Sequence, residues 1–395
     1  MPSPLRILFL AAEASPLVKV GGLADVAGSL PAVLRDMGHD VRVVLPLHPS
    51  LRELTQGTSP ITQFSLDTKT DAQTATVFQL KQSENNSHLY LIDGPPLRTA
   101  DAVYHTSVEQ DAPKFVFFSL AALELARAIS WQPDIVHAHD WHSAAAVYWL
   151  CTQGKHDPFF AHTASLITVH NLPYLGVGAG NTLEQYGLAP SNHALLPDWA
   201  RHAPLPLALA HADGITTVSP TYAAEIQTPQ FGCGLEHLLQ FRTDHLWGIL
   251  NALDTATWDP SRDQTLAARY DAHTLDRREQ NKAALQRQLG LDMDSTVPLL
   301  GIVSRFDHQK GLDLALPALA RWAEQGAQVV VVGTGDSELE QQYRDLVTRF
   351  PDRIAVTLKF DAQLATQIYG GADLLLMPSR YEPCGLSQMI AMRYG

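Results

Sequence analysis

Short apolar runs alternate with helix-like stretches along almost the whole of the 395-residue chain. No other feature limits the possible folds as much. Runs at residues 7–12, 41–45, 89–92, 135–139, 166–170 and 214–218 read as buried strands, and 27–37, 113–128 and 143–152 between them as helices. A second series has strands at 299–303, 328–332, 354–359 and 374–378, with helices at 312–324, 337–350, 361–370 and 387–394. Uninterrupted apolar strands separated by helices predict parallel sheets covered on both faces. The expected architecture is therefore α/β, with two doubly wound Rossmann-like domains. Residues 1–245 form the first, 246–262 a linker, and 263–395 the second. The polar stretch 50–86 has too weak a pattern to be placed.

Composition narrows the class. With 46% hydrophobic residues the chain can bury two cores. Its formal net charge of −13 argues against a broad nucleic-acid surface, so an anionic ligand would need a local gathering of cations. Cys151, Cys233 and Cys384 are odd in number and far apart, which predicts neither a disulfide framework nor a zinc site. The first apolar run is short and leads directly into Glu13, so it reads as a strand and not as a signal peptide. No run reaches membrane-spanning length. A bacterial cytoplasmic protein without a membrane or nucleic-acid partner is expected.

In open parallel sheets, ligands bind beyond the carboxyl ends of the strands. Five polar clusters fall there. Lys19-Val20-Gly21-Gly22 follows the first strand and opens a helix. Glycines let the backbone approach a ligand, the helix start presents N–H groups, and Lys19 adds a charge, a set suited to phosphate; a plain tight turn is the competing reading. His137-Ala138-His139-Asp140-Trp141-His142 suits a metal or a sugar, with Asp140 accepting hydroxyl hydrogen bonds and Trp141 offering an apolar face. No further ligands stand at standard metal spacing, and the expectation is no metal. His170-Asn171 ends another strand. Arg305 and Lys310 flank a strand-to-helix turn and can grip phosphate oxygens. In Glu382-Pro383-Cys384-Gly385-Leu386-Ser387 a carboxylate for sugar hydroxyls precedes helix-start N–H groups for phosphate. Gly333-Thr334-Gly335 is only a partial dinucleotide fingerprint, because Glu338 stands where the third glycine belongs.

These clusters, with Gly248-Ile249-Leu250-Asn251 and Trp258-Asp259-Pro260, resemble in content and order the bacterial glycogen synthases and plant starch synthases that use ADP-glucose. The resemblance implies a GT-B fold, two Rossmann-like domains facing a central cleft. It also implies glucose transfer from ADP-glucose to the non-reducing end of an α-1,4-glucan, with retention of configuration and no cofactor. By the same resemblance Lys19, Gly21, Gly22, Arg305, Lys310, Gly385, Leu386 and Ser387 bind the donor diphosphate. Glu382 and Asn251 serve its sugar, and Phe360 faces adenine. Asp140 and His170 join Arg305, Lys310 and Glu382 as catalytic residues, with His139, Asp140 and Trp141 on the acceptor side. Two departures stand out. Ala252 replaces an expected glycine, and the chain ends where the family continues, so the second domain is expected to be incomplete. An inactive remnant that still binds its ligands, and a related transferase with another donor, are the alternative readings.

Overall fold

The computed structural model describes residues 3–80 and 88–395. Thirteen strands are found among them, in two sheets. The chain divides into two compact units between Asn251 and Ala252.

The first unit holds a nine-stranded sheet. Its strands are β1 (Arg6–Leu10), β2 (Asp40–Pro46), β3 (Thr62–Asp67), β4 (Ala72–Leu80), β5 (His88–Asp93), β6 (Ile135–His139), β7 (Ala164–Val169), β8 (Gly214–Thr217) and β9 (Leu246–Gly248). They lie in the order β3-β4-β5-β2-β1-β6-β7-β8-β9. The run from β5 to β9 is parallel throughout. Strand β1 shows why its sequence is apolar at successive positions from Ile7 to Leu10. Leu8 and Leu10 enter one core with Phe117, Phe118 and Val136, while Ile7 and Phe9 enter a second on the opposite face with Val41, Val43 and Leu91. A strand covered on both sides has no polar alternation to display.

The unplaced stretch 50–86 contains an antiparallel hairpin, β3–β4, added to the sheet edge beside β5. Residues along β3 alternate between half-buried and exposed, so this edge lacks the apolar run that marks the central strands. Residues 81–86 of that stretch lie outside the described residues. The helix expected at 113–128 starts earlier, spanning Val108–Ala128 and accommodating Pro113.

The second unit has a four-stranded parallel sheet, in the order β12-β11-β10-β13. These are β10 (Leu299–Val303), β11 (Gln328–Val332), β12 (Ile354–Thr357) and β13 (Leu374–Leu375). Side chains again alternate between two cores. Leu300, Ile302, Val329 and Val331 face helices Leu312–Glu324 and Ser337–Arg349, whereas Leu299, Val330 and Val332 meet Leu285, Leu364 and Ile368. The boundary falls inside the stretch expected as a linker. Residues 246–248 pair with β8 as the last strand of the first sheet, and Trp258 packs against Tyr369 and Tyr394 in the second unit. Ala252 is not among the non-glycine residues with positive φ, so its Cβ is compatible with the local backbone.

Candidate active site

In the first unit the expected ligand-binding clusters gather at the carboxyl ends of β1, β6 and β7. Beyond β1 the chain loops to helix Gly22–Asp36, for which Gly21 is the N-cap. Lys19 lies exposed, with its Nζ 2.6 Å from the Asp25 carboxylate. Gly21, expected as a donor ligand, already uses its N–H. Both Val20 and Gly21 donate to Oε2 of Glu13, at 2.5 and 3.1 Å.

Asp140 directly follows β6 and occupies the N-cap position of helix Trp141–Thr152. Its backbone sits at φ 54°, ψ −173°, a region that L side chains rarely occupy. Such strain costs about 1–3 kcal/mol and gathers at functional positions. It places Oδ1 where the N–H of His170 donates at 2.7 Å and that of Asn171 at 3.5 Å. Burial nevertheless pushes the Asp140 carboxyl up to about 7, the two N–H donors lower it, and the Glu13 charge raises it further. This acid therefore titrates near neutrality.

The histidines form a connected layer. Nε2 of His137 meets Oγ1 of Thr168 at 2.7 Å, and that hydroxyl meets Thr216 Oγ1 at 2.6 Å, linking β6, β7 and β8. Nδ1 of His139 lies 2.9 Å from Nε2 of His170. Burial pushes His170 down to about 3 and His139 well below its ordinary value, so both rings are neutral. Two residues expected on the acceptor side are buried. His139 is fully buried, stacked among Phe9 and His137, and it supports His170 without facing an acceptor. Trp141 is 5% exposed, edge-on to Phe115. A Cβ at Gly176 would sit 2.8 Å from the indole, so that ring is enclosed by protein and offers no open face to a sugar. Among the described residues, no group of three or more His, Cys, Asp and Glu side chains is arranged to hold a metal ion.

In the second unit two loops, after β10 and after β13, come together. Lys310 reaches across with Nζ 2.6 Å from Oε1 of Glu382, which also accepts from the Ser379 hydroxyl at 2.7 Å. Arg305 is exposed and its guanidinium lies 3.2 Å from Asp307, whose own side chain caps the turn at Lys310. Gly311 makes this meeting possible. Its φ is +64°, and a Cβ there would stand 2.2 Å from the Pro378 carbonyl oxygen. Gly333 serves likewise on the other side, with φ +155° and the Ser304 carbonyl oxygen where a Cβ would be. Gly385, at φ +79°, turns the second loop into helix Leu386–Arg393, so Leu386 and Ser387 present a helix start just beyond Glu382. Phe360 lies three residues past β12 and is 72% exposed. Asn251, the last residue of the first unit, donates its N–H to Val218.

Several residues at these loops escape sequence reasoning. Arg380 is one: its guanidinium grips Asp313 with two bonds, 2.8 and 2.7 Å, and the His308 carbonyl at 2.9 Å. Glu13 and Tyr104 join the glycine loop through folding alone. Only the strand-end position of Glu13 hints at its role.

Residues 6–241 match the starch synthase catalytic domain family, and 297–395 the family of group 1 glycosyl transferases. The chain is 40% identical to a glycogen synthase of Syntrophotalea carbinolica over 397 residues, covering 99% of this chain and 82% of that protein. It is 39% identical to glycogen synthase 2 of Geobacter metallireducens, with the same two coverages. Among solved structures it superposes on the catalytic domain of starch synthase IV from Arabidopsis thaliana, bound to ADP and acarbose. The TM-score is 0.88 at 32% identity, over 99% of this chain and 82% of that one.

Proposed function

The chain belongs to the family of bacterial glycogen synthases and starch synthases, retaining glucosyltransferases of GT-B fold, and from that premise we propose that it moves glucose from ADP-glucose to the non-reducing end of an α-1,4-glucan. The observation that carries this reading is the Lys310–Glu382 pair. An ammonium suited to phosphate oxygens stands beside a carboxylate suited to sugar hydroxyls, matching the two halves of a nucleotide sugar.

In this reading Arg305 and Lys310 bind the diphosphate, joined by the helix-start N–H groups at Leu386 and Ser387 after the Gly385 turn. Lys19 and the helix beginning at Gly22 supply further positive potential. Glu382, held by Ser379, takes glucose hydroxyls, and Asn251 serves the same moiety. Phe360 offers its exposed ring to adenine. Asp140 and neutral His170 serve the glucose and acceptor, His170 as a hydrogen-bond partner and not as a charge.

The bond from the anomeric carbon to the β-phosphate oxygen breaks, and its electron pair leaves with ADP. The acceptor hydroxyl adds to that carbon on the same face. Its proton passes to the departing phosphate oxygen, so no protein nucleophile is needed. Charge grows on the leaving oxygen, where Arg305 and Lys310 act by electrostatic stabilisation. No paired-carboxylate arrangement of the glycosidase kind is required. Kinship with bacterial glycogen synthases supports a cytoplasmic setting.

Glucose incorporation into glycogen tests the reading, with ADP-glucose and UDP-glucose compared and Glu382→Ala alongside. ADP-glucose should be the better donor, and the variant should lose about a hundredfold or more in kcat. A folded chain that transfers from neither donor, or a fully active Glu382→Ala, overturns it.

A further inference from the structure

The loop expected to cradle phosphate is already holding an anion. Glu13, 3% exposed, follows β1 and folds back beneath the loop at residues 19–22. Its Oε2 takes the N–H groups of Val20 and Gly21 at 2.5 and 3.1 Å. The Tyr104 hydroxyl joins the same carboxylate. Tyr104 is itself fixed from behind. Nζ of Lys114 bonds the Ala102 and Val103 carbonyls at 3.1 and 2.7 Å and the Asp111 carboxylate at 2.8 Å, pinning the segment that carries the ring. Tyr104 also packs against His142 and Phe115.

This arrangement does not favour stability by itself. The charged side chains acting on Glu13 and on its partner Tyr104 include Asp25, Asp140 and Asp111, all acids. A buried carboxylate held by the Val20 and Gly21 N–H groups and the Tyr104 hydroxyl is an expensive way to shape a turn. Its consequence is local: two successive N–H groups are drawn inward, and the backbone around Lys19 and Gly22 is fixed before any ligand arrives.

We propose that Glu13 is a positioning residue that pre-forms the loop at 19–22, so that Lys19 and the start of helix Gly22–Asp36, and not the Val20 and Gly21 amides, meet the donor diphosphate. The donor part of this proposal rests on the ADP-glucose reading above; the clamp itself does not. Fixing a loop in its bound form lowers the entropic cost of binding and so acts on affinity.

Glu13→Ala, Glu13→Gln and Glu13→Asp in the full chain test it by three readouts: amide hydrogen exchange at residues 19–22 without ligand, ADP affinity by titration calorimetry, and the separate kinetic constants for ADP-glucose and glycogen. Glu13→Ala should speed exchange and raise both the Kd for ADP and the KM for ADP-glucose by about tenfold. The KM for glycogen and kcat should change little. Glu13→Gln keeps an acceptor oxygen and should restore most of the affinity. Should Glu13→Ala fail to fold, Glu13→Asp, which draws the carboxylate back by one methylene, should show the same losses in weaker form. Unchanged exchange and ADP affinity in the variants overturn the proposal. So does a Glu13→Gln that loses kcat while binding ADP normally, which would mark direct contact with the sugar. Faster exchange in a protein that binds no ADP even as wild type would leave the clamp standing and overturn the donor role.

Discussion

Asp140 shows most directly how one residue can serve function against stability. Its carboxyl ionises near 7 in the folded chain, against an ordinary value of 3.8, because burial outweighs the two N–H groups that stabilise the charge. The folded state therefore holds a proton that the unfolded state has lost between about pH 4 and 7. Stability attributable to this group falls as pH rises through that window and is constant above it. A shift of this size corresponds to roughly 4 kcal/mol at most. Asp140→Asn keeps an oxygen for the His170 and Asn171 N–H groups but carries no charge. It should melt higher than the parent at pH 7.5, lack much of the parent's loss between pH 4 and 7, and transfer no glucose. Thermal melts across pH check the first two outcomes, and a variant no more stable than the parent at pH 7.5 contradicts the account. The serine and histidine neighbours of Asp140 carry the same lesson. His139 was expected on the acceptor side, yet it is buried and its N–H is bonded to the buried Ser143 hydroxyl.

At the scale of elements, the two loops of the second unit behave as one piece because Arg380 joins them. Besides its three side-chain bonds, its N–H donates to the Gln309 carbonyl at 2.9 Å. The Asp313 carboxyl is held down at about 2 by this guanidinium, so the latch stays charged throughout the working range. Both side chains are partly exposed, and pairs of that kind add little to global stability. Their effect should fall on the ligand-binding loops instead. Arg380→Ala and Asp313→Ala should each raise the KM for ADP-glucose several-fold with almost no change in Tm. The double variant should be no worse than either single one, because both remove the same link. Additive losses in the double variant would show that the two side chains act separately. Sequence displays the cation and the acid but not their pairing, since 67 residues separate them.

For the molecule as a whole, each unit has its own sheet and its own cores, with a division at residues 251/252. Calorimetry should resolve two unfolding transitions. ADP binds only the native form of the unit carrying Arg305 and Lys310, in the proposed reading, so it should raise one of them. At a hundred times its Kd the gain is about 2.7 kcal/mol. Equal shifts in both transitions, or none, would go against placing the main diphosphate contacts on the second unit. The alternation of apolar runs determined the α/β class and nearly every central strand by itself, because a strand covered on both faces has to be apolar at successive positions. Glycine and charge at strand ends likewise made Lys19, Arg305, Lys310 and Glu382 candidates, since their positions follow from the strands. The edge hairpin β3–β4 was not legible, for its exposed face needs no apolar pattern. Burial was decided only by the tertiary structure: it enclosed Trp141 and His139 and made Asp140 a weak acid. So were contacts between distant segments, Glu13 with the glycine loop and Arg380 with Asp313. Neither is a property of local sequence, because both depend on which groups the folded chain brings within hydrogen-bonding distance and how much water it leaves around them.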